Sequence, residues 1–255
     1  MTTNKKYNLK KLLAEHKPET VCLAGWLEQL GISRDLQKYY RRSGWLESVG
    51  TGAFKRPNDR IEWEGGLYTL QTQAKLPIHA GALTALVMQG LAHYARLEKD
   101  EVHLFAPLNT NLPAWFKNYK WEETIHNIQT SFLPESLGCV DFGYRLFVIK
   151  IAGPERAILE SLYLAPDKAD LMECHQIMEG LNNLRPKLVQ QLLENCSSIK
   201  VKRLFLFMAD KAGHGWFKRL DLSKINLGSG NRAIVKNGVY VAKYGISVPR
   251  ELVEK

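Results

Sequence analysis

The stretch SRDLQKYYRRSG, residues 33–44, decides how the first sixty residues of this sequence are interpreted. It predicts a short helix, because Ser33 is a favoured N-cap and Gly44 is typical of the position that follows a helix end. At about 100° per residue, a helical wheel separates two faces. One face carries Arg34, Gln37, Lys38 and Arg41, with Arg42 at its margin, and the other carries Leu36, Tyr39 and Tyr40. We therefore expect one face to pack on neighbouring helices and the other to suit base edges and phosphates.

The residues before this stretch predict a partner helix. A short helical pattern covers residues 7–13, and a second helix is expected from Thr20, as its N-cap, to Leu30, with Gly31 after its end. The apolar residues of the second helix follow an i, i+3, i+4 pattern: Val21, Leu23, Ala24, Leu27 and Leu30. Two short helices joined by a tight turn with glycine are typical of a helix-turn-helix, whose second helix enters the DNA major groove.

The residues after it predict a β-hairpin. Two short runs, 45–49 and 53–56, surround the turn Gly50-Thr51-Gly52. A hairpin directly after a recognition helix is interpreted as a wing, with Lys55 and Arg56 reaching the flanking phosphates, although a hairpin that only closes the domain is the alternative. The expected DNA contacts are Ser33, Arg34, Gln37, Lys38, Arg41, Arg42, Lys55 and Arg56.

Composition and charge are compatible with this interpretation. The 255 residues are 45% apolar and 24% charged, with a net charge of +9, which favours an acidic partner. The charge is +6 over residues 1–60, −2 over residues 61–152 and +5 over residues 153–255. The polar stretch 55–60 contains a proline and suggests a domain boundary. We expect domains 1–58 and 59–255, with a further boundary near residue 153.

Several classes of protein are disfavoured. No apolar run approaches the roughly 18 residues that span a bilayer, and the N-terminus lacks the features of a secretory signal, so a cytoplasmic location without a membrane partner is expected. Cys22, Cys139, Cys174 and Cys196 are scattered, which favours buried free thiols over a zinc module or disulfides. No cofactor is expected.

Six further stretches carry a resemblance that extends over nearly the whole chain. They are GWLESVGTGAFKRP (44–57), LPIHAGALTALVMQGLAHY (76–94), GPERAILE (153–160), LRPKLVQQLLENC (184–196), VKRLFLFMADKAGHGWFKRLDLSKINLGSGNR (201–232) and VPREL (248–252). Together they resemble the AbiEi-type antitoxins, transcriptional regulators of abortive-infection, type IV toxin–antitoxin systems that act in phage defence. The resemblance implies an N-terminal winged helix-turn-helix that represses its own operon at inverted repeats of double-stranded promoter DNA, and a larger C-terminal antitoxin domain. It also implies a nucleotidyltransferase-like toxin as functional partner, without a stable complex.

The middle of the chain predicts mixed α and β structure. Helices are expected over 62–74 and 82–90, and strands over 102–105, 124–132 and 144–151. The fold class is thus α+β, a winged helix-turn-helix followed by a mixed α/β domain. The spacings of His79, His93, His103 and His126 match no two-histidine helical metal motif, and no metal site is expected. A nuclease-like trio of Asp141, Lys150 and Glu155 arises readily by chance, so no catalytic residue is assigned.

Helices dominate from Pro154, which opens one helix as Pro186 opens another, and the most apolar helix is expected over 201–212. A second basic surface, with DNA, RNA or protein as its ligand, is suspected at Lys200, Lys202, Arg203, Lys218, Arg219 and Arg232. The Gly-rich loop 227–232 favours a tight turn over a phosphate cradle. Asn237-Gly238 predicts a hairpin between 233–236 and 239–242.

Two alternatives to a DNA-binding antitoxin stay open. One is a nucleic-acid-processing enzyme tethered by the helix-turn-helix. The other is an RNA- or protein-interaction module that has no toxin partner.

Overall fold

The computed structural model describes residues 2–92 and 101–254, with side chains from residue 7 onward. The helices are α1 (Thr2–Glu15), α2 (Ala24–Gln29), α3 (Arg34–Arg42), α4 (Trp63–Thr72), α5 (Ala82–Met88), α6 (Ala114–Asn118), α7 (Pro154–Leu164), α8 (Leu171–Gly180), α9 (Pro186–Asn195), α10 (Ile199–Ala212) and α11 (Glu251–Glu254). The strands are β1 (Cys22–Leu23), β2 (Glu47–Gly50), β3 (Ala53–Lys55), β4 (His79–Ala80), β5 (Glu101–Ala106), β6 (Thr124–Gln129), β7 (Cys139–Tyr144), β8 (Phe147–Ala152), β9 (Arg232–Ala233), β10 (Val239–Val241) and β11 (Ile246–Val248). The fold is therefore α+β, as the sequence predicts.

The chain divides into two compact units. The N-terminal unit comprises Met1–His79, Asn109–Ile125 and Asp141–Lys150, and the C-terminal unit comprises Ala80–Leu108, His126–Val140 and Ile151–Lys255. The N-terminal unit reaches beyond residue 58, so the domain boundary expected there stays a prediction.

The first part of the N-terminal unit has the order helix, strand, helix, helix, hairpin. Its three-stranded sheet has the order β1-β3-β2, with Cys22 opposite Phe54 and Glu47 opposite Lys55. The helices and the sheet enclose one core, formed by Leu12, Cys22, Ala24, Leu27, Ile32, Tyr40, Leu46 and Phe54. The hairpin predicted around Gly50-Thr51-Gly52 is confirmed, and the order of elements is consistent with a winged helix-turn-helix.

The predicted start of the second helix is wrong. The chain is extended at Cys22 and Leu23, which pair with β3, and the helix begins only at Ala24. The Thr20 hydroxyl caps nothing there, since it donates to the backbone carbonyl of Lys17 instead. The apolar pattern of this segment fits a helix or a buried strand equally well, and pairing with β3 decides for the strand.

A five-stranded sheet has the order β6-β5-β4-β8-β7, with β4 parallel to β8. Strands β5, β6 and β8 agree with the predicted runs, whereas β7 was not predicted. The predicted helices at α4 and α5 are also present.

Helix α7 is the centre of the C-terminal unit, where it packs against α5, α8, α9 and α10. Pro154 and Pro186 lie in the first turns of α7 and α9, as predicted. Helix α10 is buried over nine consecutive residues, 201–209, which confirms the substantial burial expected from its apolar stripe.

The hairpin predicted at Asn237-Gly238 is wrong. In the small C-terminal sheet β10 pairs with β11 in antiparallel fashion, and β9 pairs with β11 in parallel, so β9 and β10 are not neighbours. The Asn-Gly signal still marks a turn, because Asn237 has a φ of 58°. Strand β10 pairs instead with β11, which follows it after residues 242–245.

The four cysteines are free, and three of them, Cys22, Cys174 and Cys196, are buried. Burial raises the pKa of the Cys22 and Cys174 thiols to about 12, which keeps both protonated. Within residues 2–92 and 101–254, no helix has the length and apolar character needed to cross a bilayer.

Candidate nucleic-acid interface

Helix α3 is fixed at both ends by its own sequence. Ser33 is the N-cap, and its hydroxyl accepts a 3.4 Å hydrogen bond from the backbone N–H of Leu36. Asp35 in the first turn and arginines in the last turn match the helix dipole. Gly44, with a φ of 74°, turns the chain away after Ser43. The predicted limits of this helix are confirmed.

The inner face of α3 is centred on Gln37 and Tyr40, which are 2% and 1% exposed. The Gln37 side-chain amide donates to the carbonyl oxygens of Ala24 at 3.0 Å and Ile32 at 2.9 Å. Placing Gln37 on the exposed face is therefore wrong. Its amide nitrogen donates to two carbonyls in the preceding helix and the turn, so the buried side chain has a structural position and does not face a base.

The outer face of α3 is strongly basic. Its exposed cationic side chains are Arg34, Lys38, Arg41 and Arg42. Lys38 and Arg42 form neither an ion pair nor a hydrogen bond with any described residue, and the Arg41 guanidinium lies 5.7 Å from the Phe54 ring centroid. With Gln37 turned inward, the exposed face is centred near Lys38 rather than between Arg34 and Arg41.

Arg34 is exposed but already paired. Its Nε and Nη2 atoms donate to the two carboxylate oxygens of Glu28 at 2.6 and 3.0 Å. A contact between Arg34 and DNA therefore requires exchange of this carboxylate for a phosphate or a guanine edge. Because the pair is exposed, that exchange costs little.

The two wing cations predicted to reach phosphates are bound internally. The Lys55 amine donates to the carbonyl of Asp59 at 2.7 Å and lies 3.2 Å from the Glu47 carboxylate. The Arg56 guanidinium donates to the carbonyls of Leu13 and His16 at the end of α1. Both positions therefore close the domain, which was the alternative interpretation of the hairpin.

Arg56 lies near the buried His16 and adds to the effect of burial on its pKa. Burial, and secondly the positive charge of Arg56, lower the pKa of His16 to about 4. Its Nε2 lies 3.1 Å from the carbonyl oxygen of Thr20, so the neutral ring donates there. The contact fixes the end of α1 against the start of β1.

The sequence interpretation missed two aromatic side chains beside the basic face. Tyr39 and Trp45 are each close to half exposed, although the helical wheel placed Tyr39 on the packing face. The signal was present for Tyr39, since adjacent residues in a helix point about 100° apart and the buried Tyr40 leaves Tyr39 outside. Exposed aromatic rings next to arginine and lysine are suited to sugar and base contacts.

The second basic surface is not assembled as predicted, because its three residues in α10 face inward. The Lys200 amine donates to the carbonyls of Tyr163 and Ala165, and its burial lowers the pKa of that amine. Lys202 and Arg203 are buried. Lys218, Arg219 and Arg232 are exposed, as expected.

Arg203 also explains the Gly-rich loop. Its guanidinium donates to four carbonyl oxygens, those of Leu227, Gly228, Gly230 and Gly245, at 2.7–3.2 Å. The loop thus directs its carbonyl oxygens at a cation, and it is a turn rather than a phosphate cradle, as the sequence favours.

A smaller basic groove does form beside α9. Arg219 lines this groove together with Arg185, Lys187 and Lys224, and Asp221 is an acidic residue in its lining. The volume of the groove is about 990 Å³. Of the six predicted surface residues, only Arg219 takes part.

Two members of the trio expected to arise by chance pair with each other, and the third, Glu155, binds a different partner. Asp141 and Lys150 form an exposed ion pair at 2.9 Å, whereas the buried Glu155 carboxylate is bound by the backbone and guanidinium of Arg185. The Arg185 contacts lower the pKa of Glu155 against the opposing effect of burial. Glu155 thus has a structural role, whereas Asp141 forms a surface ion pair.

One set of potential metal ligands does form, contrary to the expectation of no metal site. Glu101, His103 and His126 offer ligand atoms that lie within 4.8 Å of one another. The sequence spacing concealed this set, because the residues lie on two strands. His79 is not part of it, and His93 lies outside the described residues.

The order of elements in residues 2–55 and the basic face of α3 point to the helix-turn-helix class of DNA-binding transcriptional regulators. A family model described as "Transcriptional regulator, AbiEi antitoxin, Type IV TA system" matches residues 99–249, and one described as "Transcriptional regulator, AbiEi antitoxin N-terminal domain" matches residues 5–97. The chain therefore belongs to the AbiEi antitoxins, transcriptional regulators of type IV toxin–antitoxin systems. The resemblance noted in the sequence is confirmed.

A solved structure has a similar fold. The crystal structure of the RV2827C protein from Mycobacterium tuberculosis aligns with a TM-score of 0.60 and 13% sequence identity, covering 93% of this chain and 88% of that chain. At this identity the similarity concerns the fold alone. A search of the curated proteins finds no match to the sequence.

Proposed function

We propose that this antitoxin represses its own operon by binding inverted repeats in the promoter, with α3 in the major groove. The observation that carries the proposal is the outer face of α3, where Lys38 and Arg42 are exposed and unpaired among the described residues, and Arg34 and Arg41 flank them. A helix with its side chains is about 10–12 Å across and fits a major groove about 12 Å wide.

Within this docking, the positions along α3 have different roles. Residues near the N-terminus of a recognition helix contact base edges, so Arg34 and Lys38 are the base-reading candidates. Arg41 and Arg42 follow one turn later and suit the phosphate backbone, while Ser33 keeps its role as N-cap and contacts phosphate at most through its backbone. Gln37, Lys55 and Arg56 are left out of the proposed interface, since all three side chains donate to backbone carbonyls within the domain.

The test compares two double variants in mobility shifts on the chain's own promoter fragment. Lys38→Ala with Arg42→Ala removes two charges from α3, and Lys10→Ala with Lys17→Ala removes two exposed charges elsewhere in the same unit. The α3 variant should lose tenfold or more in affinity, at about 1–3 kcal/mol for a base contact, and its salt slope should fall by about 2. The control variant, Lys10→Ala with Lys17→Ala, should retain most of the wild-type affinity and most of the wild-type salt slope.

A duplex of equal length with scrambled repeats separates specific binding from charge attraction. Wild-type protein should prefer the promoter, and the preference should shrink in the α3 variant. Equal losses in the two double variants, with thermal melting unchanged, would contradict the proposed docking.

We further propose that antitoxicity acts on a nucleotidyltransferase-like toxin without a stable complex and without catalysis by this chain. Support comes from the family alone. Co-production with the neighbouring toxin should restore growth, whereas the two chains should elute separately in gel filtration. Continued toxicity would contradict the antitoxin role and leave the DNA-binding role standing.

A further inference from the structure

Two neighbouring strands of the C-terminal unit place three ligand-type side chains together. Glu101 and His103 are two residues apart in β5, and alternate residues of a strand lie on the same face. His126 lies in β6, which is the neighbour of β5 in the sheet. The sheet therefore assembles one carboxylate and two imidazoles from positions far apart in sequence.

The distances suit a common central atom. His126 Nε2 lies 3.6 Å from Glu101 Oε1, and the three ligand atoms lie within 4.8 Å of one another. Ligands at about 2.1 Å from a tetrahedral ion are separated by roughly 3.4 Å. The first pair already has this spacing, and the other separations, which are at most 4.8 Å, would shorten by side-chain rotation on binding.

Two ring nitrogens at the site have no other partner. His103 Nδ1 and His126 Nε2 are buried and accept or donate no hydrogen bond among the described residues. His103 is only 5% exposed, and its ring stacks on that of His126 with centroids 5.2 Å apart. A buried polar atom without a partner costs about 1–3 kcal/mol, which a coordinated ion would offset.

The surroundings favour a cation and leave room for a further ligand. Glu101 and His103 line a cavity of about 400 Å³, whose other charged residues are Asp167, Lys168, Asp170 and Glu173. Acidic groups thus outnumber the single lysine. A cavity of this size beside three protein ligands accommodates water or a small anion at a fourth position.

We propose that Glu101, His103 and His126 form a binding site for a divalent transition-metal ion, with Zn²⁺ as the best match. Two imidazoles and one carboxylate suit borderline ions such as Zn²⁺ better than Mg²⁺ or Ca²⁺, which prefer oxygen ligands. The site ties β5 to β6 and keeps an open position toward the cavity. It is independent of promoter binding by α3.

The experiment titrates Zn²⁺, and Co²⁺ as a spectroscopic substitute, into the chelator-treated full-length chain. One equivalent of Zn²⁺ should bind and raise the melting temperature. His126→Ala and Glu101→Gln should each weaken binding by about tenfold or more, whereas Asp167→Asn, which removes a charge at the cavity without removing a ligand, should weaken it by less than about threefold. Visible absorption of bound Co²⁺ should report low coordination number.

His126→Cys keeps the proposal testable if the alanine variant folds poorly. A thiolate is a strong Zn²⁺ ligand, so this variant should bind Zn²⁺ and add a sulfur-to-cobalt charge-transfer band with Co²⁺. Wild-type protein that binds no Zn²⁺, or binds it with the same affinity as the ligand variants, would overturn the proposal. In that case the stacked histidines serve packing alone.

Discussion

Gln37 offers the sharpest test of how α3 is oriented, because the helical wheel and the structure assign it opposite roles. Gln37→Met keeps the length of the side chain and removes its two hydrogen bonds to the carbonyls of Ala24 and Ile32. Each lost bond costs about 1 kcal/mol, and each carbonyl left buried without its donor adds to that cost. We expect the free energy of unfolding to fall by about 2–4 kcal/mol.

Urea unfolding followed by tryptophan fluorescence measures this loss. With a slope of about 2 kcal/mol per M, the midpoint for the N-terminal unit should fall by about 1–2 M. Lys38→Met is the matched control, since it introduces the same residue one position later on the exposed face. The free energy of unfolding of Lys38→Met should stay within about 0.5 kcal/mol of that of the wild type.

For promoter binding, we expect the larger loss in Lys38→Met and the smaller loss in Gln37→Met, the reverse of their effects on stability. Below the unfolding transition, Gln37→Met should bind DNA nearly as the wild type does, whereas Lys38→Met should lose about 1–3 kcal/mol of binding free energy. Wild-type stability together with lost promoter binding in Gln37→Met would refute the inward orientation of Gln37 and restore the arrangement inferred from the wheel.

Two further predictions concern buried charges. Burial raises the pKa of Glu64 to about 7, so ionisation of its carboxyl group costs stability as the pH rises from about 4.5 through 7. Glu64→Gln should therefore raise the free energy of unfolding by about 3 kcal/mol at pH 8 and leave it unchanged at pH 4. Equal effects at the two pH values in urea titrations would argue against this origin. In Arg203→Lys, the lysine amine cannot reach all four carbonyls that the guanidinium contacts. The free energy of unfolding should therefore fall by at least about 3 kcal/mol, and amide exchange should accelerate over residues 227–245. A loss below about 1 kcal/mol would contradict this structural role.

Local signals in the sequence located elements well. Ser33 and Gly44 delimit α3, Gly50-Thr51-Gly52 marks the hairpin, and prolines mark the first turns of α7 and α9. These signals act through a few neighbouring residues, by capping or by restricting φ, and they operate whatever the rest of the chain does.

Partners of long polar side chains could not be deduced in the same way. Arg56 binds carbonyls about forty residues earlier in the chain, and Arg203 binds carbonyls about twenty-five to forty residues later. Arginine and lysine are exposed in most proteins, so their composition alone favours a surface role. Only the packed structure reveals which backbone carbonyls these side chains reach.

The sequence by itself determined the class of protein: a capped basic helix after a short helix and before a hairpin, within a chain whose motifs resemble one family. The tertiary structure decided which atoms are available. In the folded chain, Gln37 is buried, and Lys55 and Arg56 donate to backbone carbonyls. Glu101 and His103 in one strand lie close to His126 in the neighbouring strand. The physical reason is that periodicity fixes the angle between side chains on one element, whereas burial and pairing depend on the elements packed against it.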